Sequence, residues 1–295
     1  MKPFPLLSLA VTVGASPLTD RAIATLAEVL ETGNPVDQIH AAEVLIPFGH
    51  SDVVREHYLP LQSKFDDTPI SRVVTWRALA RVARTPAERQ MWVNKIFGIA
   101  TTPGLPDRVH AAETAAKLLE PAPPSVVANM EAWAAHAPDK DAAFALWCVW
   151  AASGLPEDSS GKLIRWLKTG DGDTRLRVAY MLARLKPTDP AVLAALSDAA
   201  NRALADGEIN VVNTIVISAA HFLAADPAQI STWRAFLEDA IASNDRLLIF
   251  HSVQGIMPYY QPTDVAGILH LLDHPEPDAR TSAAWVILAA DANSS

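Results

Sequence analysis

An all-α chain is predicted, an α-α superhelix (solenoid) of about seven antiparallel helix pairs with an end helix on either side. Three observations predict it. Half of the 295 residues are apolar and only 12 are glycine, a composition that sustains a continuous core and favours helices over strands or Gly-rich nucleotide loops. The stretch Ile39-His40-Ala41-Ala42-Glu43 returns as Val109-His110-Ala111-Ala112-Glu113. The same register places further copies at Val74, Ala145, Arg177, Asn213, His251 and Arg280, roughly 35 residues apart, a period typical of stacked repeats. Prolines followed by a helical pattern form a second, interleaved series at Pro86, Pro124, Pro156, Pro190, Pro227 and Pro262.

The elements follow in order. Residues 1–17 form an apolar N-terminal segment in which Lys2 precedes the run from Leu6 to Val13 and the small residues Gly14-Ala15-Ser16. That pattern resembles a signal-peptidase site, although Pro3 and Pro5 interrupt it, and a short first helix fits equally. Export and a cytoplasmic location both stay open. A helix is expected from Leu18 to Thr32, ahead of the first repeat. In the repeats, Val109, Ala112, Ala116 and Leu119 lie at i, i+3, i+7 and i+10, and Leu176, Ala179, Leu182 and Leu185 nearly repeat that register, so each motif marks one amphipathic helix.

The proline series starts the second helices, because a first-turn position leaves the missing N–H of proline without consequence. Thr85-Pro86-Ala87-Glu88 and Asp226-Pro227-Ala228-Gln229 read as capping boxes, and Asp189-Pro190 as a simple N-cap. A helix over 278–290 closes the array. No Gly- or Ser-rich linker interrupts it, so 18–291 is expected to be one elongated domain, with a tail over 292–295. No other apolar run approaches the roughly 20 residues that span a bilayer.

The line Asp107-Arg108-Val109-His110-Ala111-Ala112-Glu113 resembles the short HEAT-like repeat of the PBS-lyase type, whose first helix begins with an acidic residue, an aliphatic one, a basic one and paired alanines. Asp173-Thr174-Arg175-Leu176-Arg177-Val178-Ala179 and Asp278-Ala279-Arg280-Thr281-Ser282-Ala283-Ala284 look like the same element with arginine in the basic place. The resemblance covers about 30 to 290 and implies a helical superhelix; the family includes scaffolds, transport factors and a few enzymes, so it does not name a function. Tetratricopeptide and ankyrin patterns are not met.

Charge narrows the partners. The chain carries 24 Lys+Arg against 33 Asp+Glu, a net charge of -9, so there is no global cationic field for a phosphate backbone and nucleic acid is disfavoured. Cys148, the single cysteine, sits in the apolar run from Ala145 to Trp150 and is expected to pack as a small apolar residue. No phosphate loop, nucleophile elbow or other cofactor motif is present, and no cofactor is expected.

The His-x-x-Glu pairs suggest a metal or acid–base site. With neighbouring helices roughly 8–10 Å apart, copies two repeats apart cannot share an ion whose ligands sit within about 2 Å of it, and a polar stripe with Glu113 and Lys117 paired at i, i+4 is expected instead. HEAT-like hydroxylases hold two irons with adjacent His-Glu pairs, a dipeptide missing here. His270 and His274 are the remaining, weak metal candidates, because i, i+4 would set both imidazoles on one helix face.

The tryptophans carry the binding expectation. Trp92 and Trp233 lie six positions after their prolines, and Trp133 and Trp166 nine and ten after theirs, which keeps all four on one face of the second helices. In HEAT-like proteins those helices line the concave surface. The resemblance therefore implies a groove of Arg89, Trp92, Lys95, Trp133, Arg165, Trp166, Trp233 and Arg234, unless the indoles pack between helices as core. The expected function is a non-enzymatic interaction scaffold that binds a protein or peptide on its concave face. The competing expectation is a HEAT-fold enzyme or small-molecule binder using that groove: DNA glycosylase-like, bilin-lyase-like or metal-dependent.

Overall fold

The computed structural model describes residues 16–223, 226–260 and 265–294. Most of the apolar N-terminal segment, and Pro262 of the proline series, lie outside the described residues. Within them all regular structure is helical and no strand occurs. In chain order the helices are α1 (Pro17–Thr32), α2 (Pro35–Leu45), α3 (Ser51–Tyr58), α4 (Gln62–Phe65), α5 (Ser71–Arg81) and α6 (Pro86–Thr101). They continue with α7 (Arg108–Leu118), α8 (Pro124–Ala134), α9 (Asp139–Ser153), α10 (Ser160–Thr169), α11 (Gly172–Leu185) and α12 (Pro190–Asp206). The last are α13 (Val211–Leu223), α14 (Ile230–Ile241), α15 (Arg246–Ile256), α16 (Val265–Ile268) and α17 (Pro277–Ser294). No helix among the described residues is long and apolar enough to cross a membrane.

Caps place the helix starts. Pro86, Pro124 and Pro190 each open a helix, while Pro227 opens and Pro156 immediately precedes a short 3-10 turn that feeds the next one. Asp189 Oδ1 accepts the Ala191 amide at 2.8 Å and Asp226 Oδ1 the Ala228 amide at 3.1 Å. Thr85 Oγ1 accepts the Glu88 amide at 3.1 Å, but Glu88 reaches back to the amide of Arg84, one residue earlier than a regular capping box. The full reciprocal box occurs where none was expected, between Asn34 and Asp37 around Pro35.

The chain divides into two compact units, one made of Met1–Arg89 with Tyr260–Ser295, the other of Gln90–Tyr259. In the first unit α1 packs on α2 and α17, α2 on α5, and α17 lies beside α2. Helices from both ends of the chain therefore share one core, containing Leu26, Val29 and Leu30 of α1 and Ala283, Ala284 and Ile287 of α17. Polar ties accompany it. His40 Nδ1 is 2.8 Å from Oδ1 of the fully buried Asp278, and Thr19 Oγ1 donates to Asp291 at 3.1 Å.

In the second unit α7, α9, α11, α13 and α15 pack each on the next, forming a first row. The helices α8, α10, α12 and α14 form a second layer, each packed on the first-row helix that follows it in sequence. Small side chains set the close approach along the first row: Ala111, Ala112, Ala115 and Ala116 on α7, Ala142, Ala143 and Ala145 on α9, Ala179 on α11, and Ala219 and Ala220 on α13 are all buried. On α15 the place is taken by Gly255, where an added Cβ would stand 2.6 Å from Ser218 Cβ and 2.8 Å from its Cα on α13. Ser218 Oγ donates across the same contact to the His251 carbonyl at 3.0 Å. Gly255→Ala is expected to lower stability by about 1–3 kcal/mol through overpacking, read from urea denaturation, and combining it with Ser218→Gly should recover part of the loss.

Candidate functional site

The tryptophan series lies mostly in the core. Trp92 is 2 %, Trp166 1 % and Trp233 0 % exposed, and the Trp233 indole N–H donates to Asn201 Oδ1 at 3.0 Å. Their stems are apolar and large, so burying them outweighs any gain from facing water. The flanking cations are engaged locally. Arg89 donates to the Ala80 carbonyl at 2.9 Å, Arg165 grips both oxygens of Asp139 at 3.0 and 3.2 Å, and Arg234 pairs with Glu238 at 2.8 Å. Lys95 rides over the Trp92 ring. These residues do not assemble into an exposed aromatic groove; core packing, the alternative weighed above, describes three of the four indoles.

Trp133 is the exception, being half-buried. The Arg108 guanidinium stacks on its ring at 3.9 Å and is held by the Ala100 carbonyl at 2.9 Å and Asn129 Oδ1 at 3.1 Å. Pro103, Ala132, His136 and Ala137 complete an open depression of about 390 Å³ around this pair. Burial lowers the Arg108 pKa from its ordinary value. Since its donors already join α6, α7 and α8, stitching the helices together accounts for the stacked arginine.

The histidine candidates separate. His270 lies in the 3-10 turn Leu269–Asp273 and His274 caps that turn, its Nδ1 accepting the Glu276 amide at 3.1 Å. A 3-10 turn spaces side chains every third residue, so the expected shared α-helical face is not formed. Among the described residues no group of three or more potential ligands is placed to hold a metal ion. The two His-x-x-Glu copies also diverge: Glu43 lies 3.4 Å from both Arg77 Nε and Arg81 Nη2 while His40 turns to Asp278, whereas His110 and Glu113 face each other at 3.4 Å.

What the structure brings together instead is a strip on the first row of the second unit. Helices α7 and α11 both pack on α9 and would stand about 16–20 Å apart in a flat row. Yet Lys117 Nζ of α7 lies 5.2 Å from the Tyr180 ring centroid of α11. One step on, Tyr180 meets His251 of α15 edge-on at 6.0 Å, passing over α13. Long side chains from alternate helices thus meet on one face of the row.

Trp147 and Phe144 of α9 form the floor, with Trp147 edge-on to Tyr180 at 5.9 Å. The Arg184 guanidinium stacks on Tyr180 at 3.5 Å, and Arg177, ion-paired to Asp141 at 2.7 Å, covers Phe144 at 5.0 Å. Lys117 is anchored by Glu113 at 2.8 Å, with side chains only 9 % and 15 % exposed respectively. Burial opposes ionisation of Glu113, but Lys117 and His110 outweigh it and hold its carboxyl well below the usual range. Behind the strip, burial pushes the Cys148 thiol up to about 12, which leaves it an inert core residue.

Sequence reasoning found Lys117 and Glu113 as a polar stripe but passed over Tyr180 and Arg184. Their signal was present: Arg177, Tyr180 and Arg184 fall at i, i+3 and i+7 on α11. Comparison with protein-family models, curated proteins and solved structures returned no match.

Because its folded pKa is depressed, the Glu113 carboxylate contributes stability above the ordinary carboxylate pKa, and that contribution is lost as pH falls through the depressed value. Lys117→Met leaves the carboxylate without its main counter-charge and is expected to cost about 3–5 kcal/mol near neutral pH. The loss should shrink in acid, where Glu113 takes up a proton, and in the Glu113→Gln background. Urea denaturation of the four proteins across that pH range checks both.

Proposed function

We propose that this chain is a non-enzymatic binding module of the HEAT-like superhelical class, and that the first-row face of its second unit accepts an extended peptide or protein segment. The strip from Lys117 through Tyr180 and Arg184 to His251 carries this proposal. It presents half-buried aromatic edges with cations stacked on them across three first-row helices, which is the composition of binding surfaces, enriched in Tyr, Trp and Arg and poor in lone carboxylates. The recurring motif and the packing of successive first-row helices support the superhelical assignment. The contact surface expected at the second-layer tryptophans moves to the first row, because three of the four indoles are buried in the core.

Random peptides displayed on phage and selected on the purified chain test the proposal. Selected peptides are expected to bind a Tyr180→Ala variant at least about tenfold more weakly, the loss of about 1.4 kcal/mol typical of a minor hot spot. Equal binding to both proteins would place the contact surface elsewhere.

A further inference from the structure

The charges on this strip do not balance locally, and the imbalance specifies a partner. Three of its ion pairs are closed: Lys117 with Glu113 at 2.8 Å, Arg177 with Asp141 at 2.7 Å, and Lys140 with Asp173 at 2.8 Å. Arg184 differs. Its Nη1 donates to the Tyr180 carbonyl at 3.1 Å, its guanidinium carbon lies over the Tyr180 ring, 3.5 Å from that centroid and 6.0 Å from the Trp147 centroid, and the residue is exposed. A guanidinium carries five N–H donors, and those not spent on the Tyr180 carbonyl offer a fork that matches two carboxylate oxygens. Two cations, Lys117 and Arg184, thus flank one tyrosine, and among the described residues no carboxylate pairs with Arg184. This local surplus of positive charge stands out in a chain whose net charge is -9.

Resting on the first-row-face proposal above, we infer that the bound segment is acidic, with one of its carboxylates taken bidentately by Arg184 over Tyr180. Preorganisation favours that partner. An arginine already held by stacking loses less side-chain entropy on binding than an unstacked one. The half-buried Tyr180 and His251 rings stand beside it for apolar contact.

Short fluorescein-labelled peptides in which leucine alternates with aspartate, asparagine or lysine, each made with a free and an amidated C-terminus, provide the test, read by fluorescence anisotropy with the full chain. The aspartate peptide is expected to bind at least about tenfold more tightly than its asparagine isostere. That preference should vanish in Arg184→Gln, persist weakly in Arg184→Lys and turn toward the lysine peptide in Arg184→Glu. Thermal melting of the variants should stay unchanged, since Arg184 is exposed. An effect of C-terminal amidation assigns the captured group to the terminal carboxylate, and its absence to a side chain. Binding that depends on Tyr180 but ignores peptide charge, or a charge preference that survives in Arg184→Gln, overturns the acidic-partner inference alone. Binding indifferent to Tyr180→Ala overturns the first-row-face proposal and this inference with it.

Discussion

Close approach between first-row helices is the constraint on which the second unit depends. An amphipathic helix pair of this length cannot bury its own apolar face, so each pair must lie on its neighbours. How near the neighbours come is set by the side chains between them. Buried alanines on α7, α9, α11 and α13, and Gly255 on α15, let the backbones approach, and larger side chains such as Trp147 and Ile217 in the first row and Trp233 and Leu237 in the second layer fill the remaining space. Lys117, Tyr180 and His251 meet on one face of the row from alternate helices.

The same geometry explains the electrostatics of the strip. On that face side chains from several helices crowd together, and the Lys117–Glu113 pair is partly desolvated. Glu113 keeps its charge because Lys117 and His110 face it, and Lys117 is held in turn between that carboxylate and the Tyr180 ring. Arg184 stacks on the Tyr180 ring, and no carboxylate among the described residues pairs with it. In the first unit the corresponding polar groups turn inward to join the two chain ends, as His40 does with buried Asp278. One motif has thus been put to different structural uses.

Much of the helical organisation was legible because its causes are local. Proline at first-turn positions, Asp189 and Thr85 as caps, and the alanine pairs act through residues within one turn, so Pro86, Pro124 and Pro190 mark helix starts correctly. The broken stretch around α3 and α4 escaped, because its short helices are shaped by packing on α5 rather than by a repeat signal. The site was poorly legible. Regular spacing showed that the tryptophans share a face, but spacing cannot tell a face that meets a neighbouring helix from one that meets water, and three of the four met the core.

By itself the sequence determined an all-helical chain, the helix starts at Pro86, Pro124 and Pro190, and the Glu113–Lys117 pair, since each depends on contacts made within a few residues. Tertiary structure alone decided that the first-row helices of the second unit pack each on the next, that α17 shares a core with α1 and α2, and that Tyr180 gathers Lys117, Arg184 and His251 around one ring. Those outcomes depend on distances between residues far apart in the chain, and such distances follow from the summed packing of many helices, which no single repeat encodes.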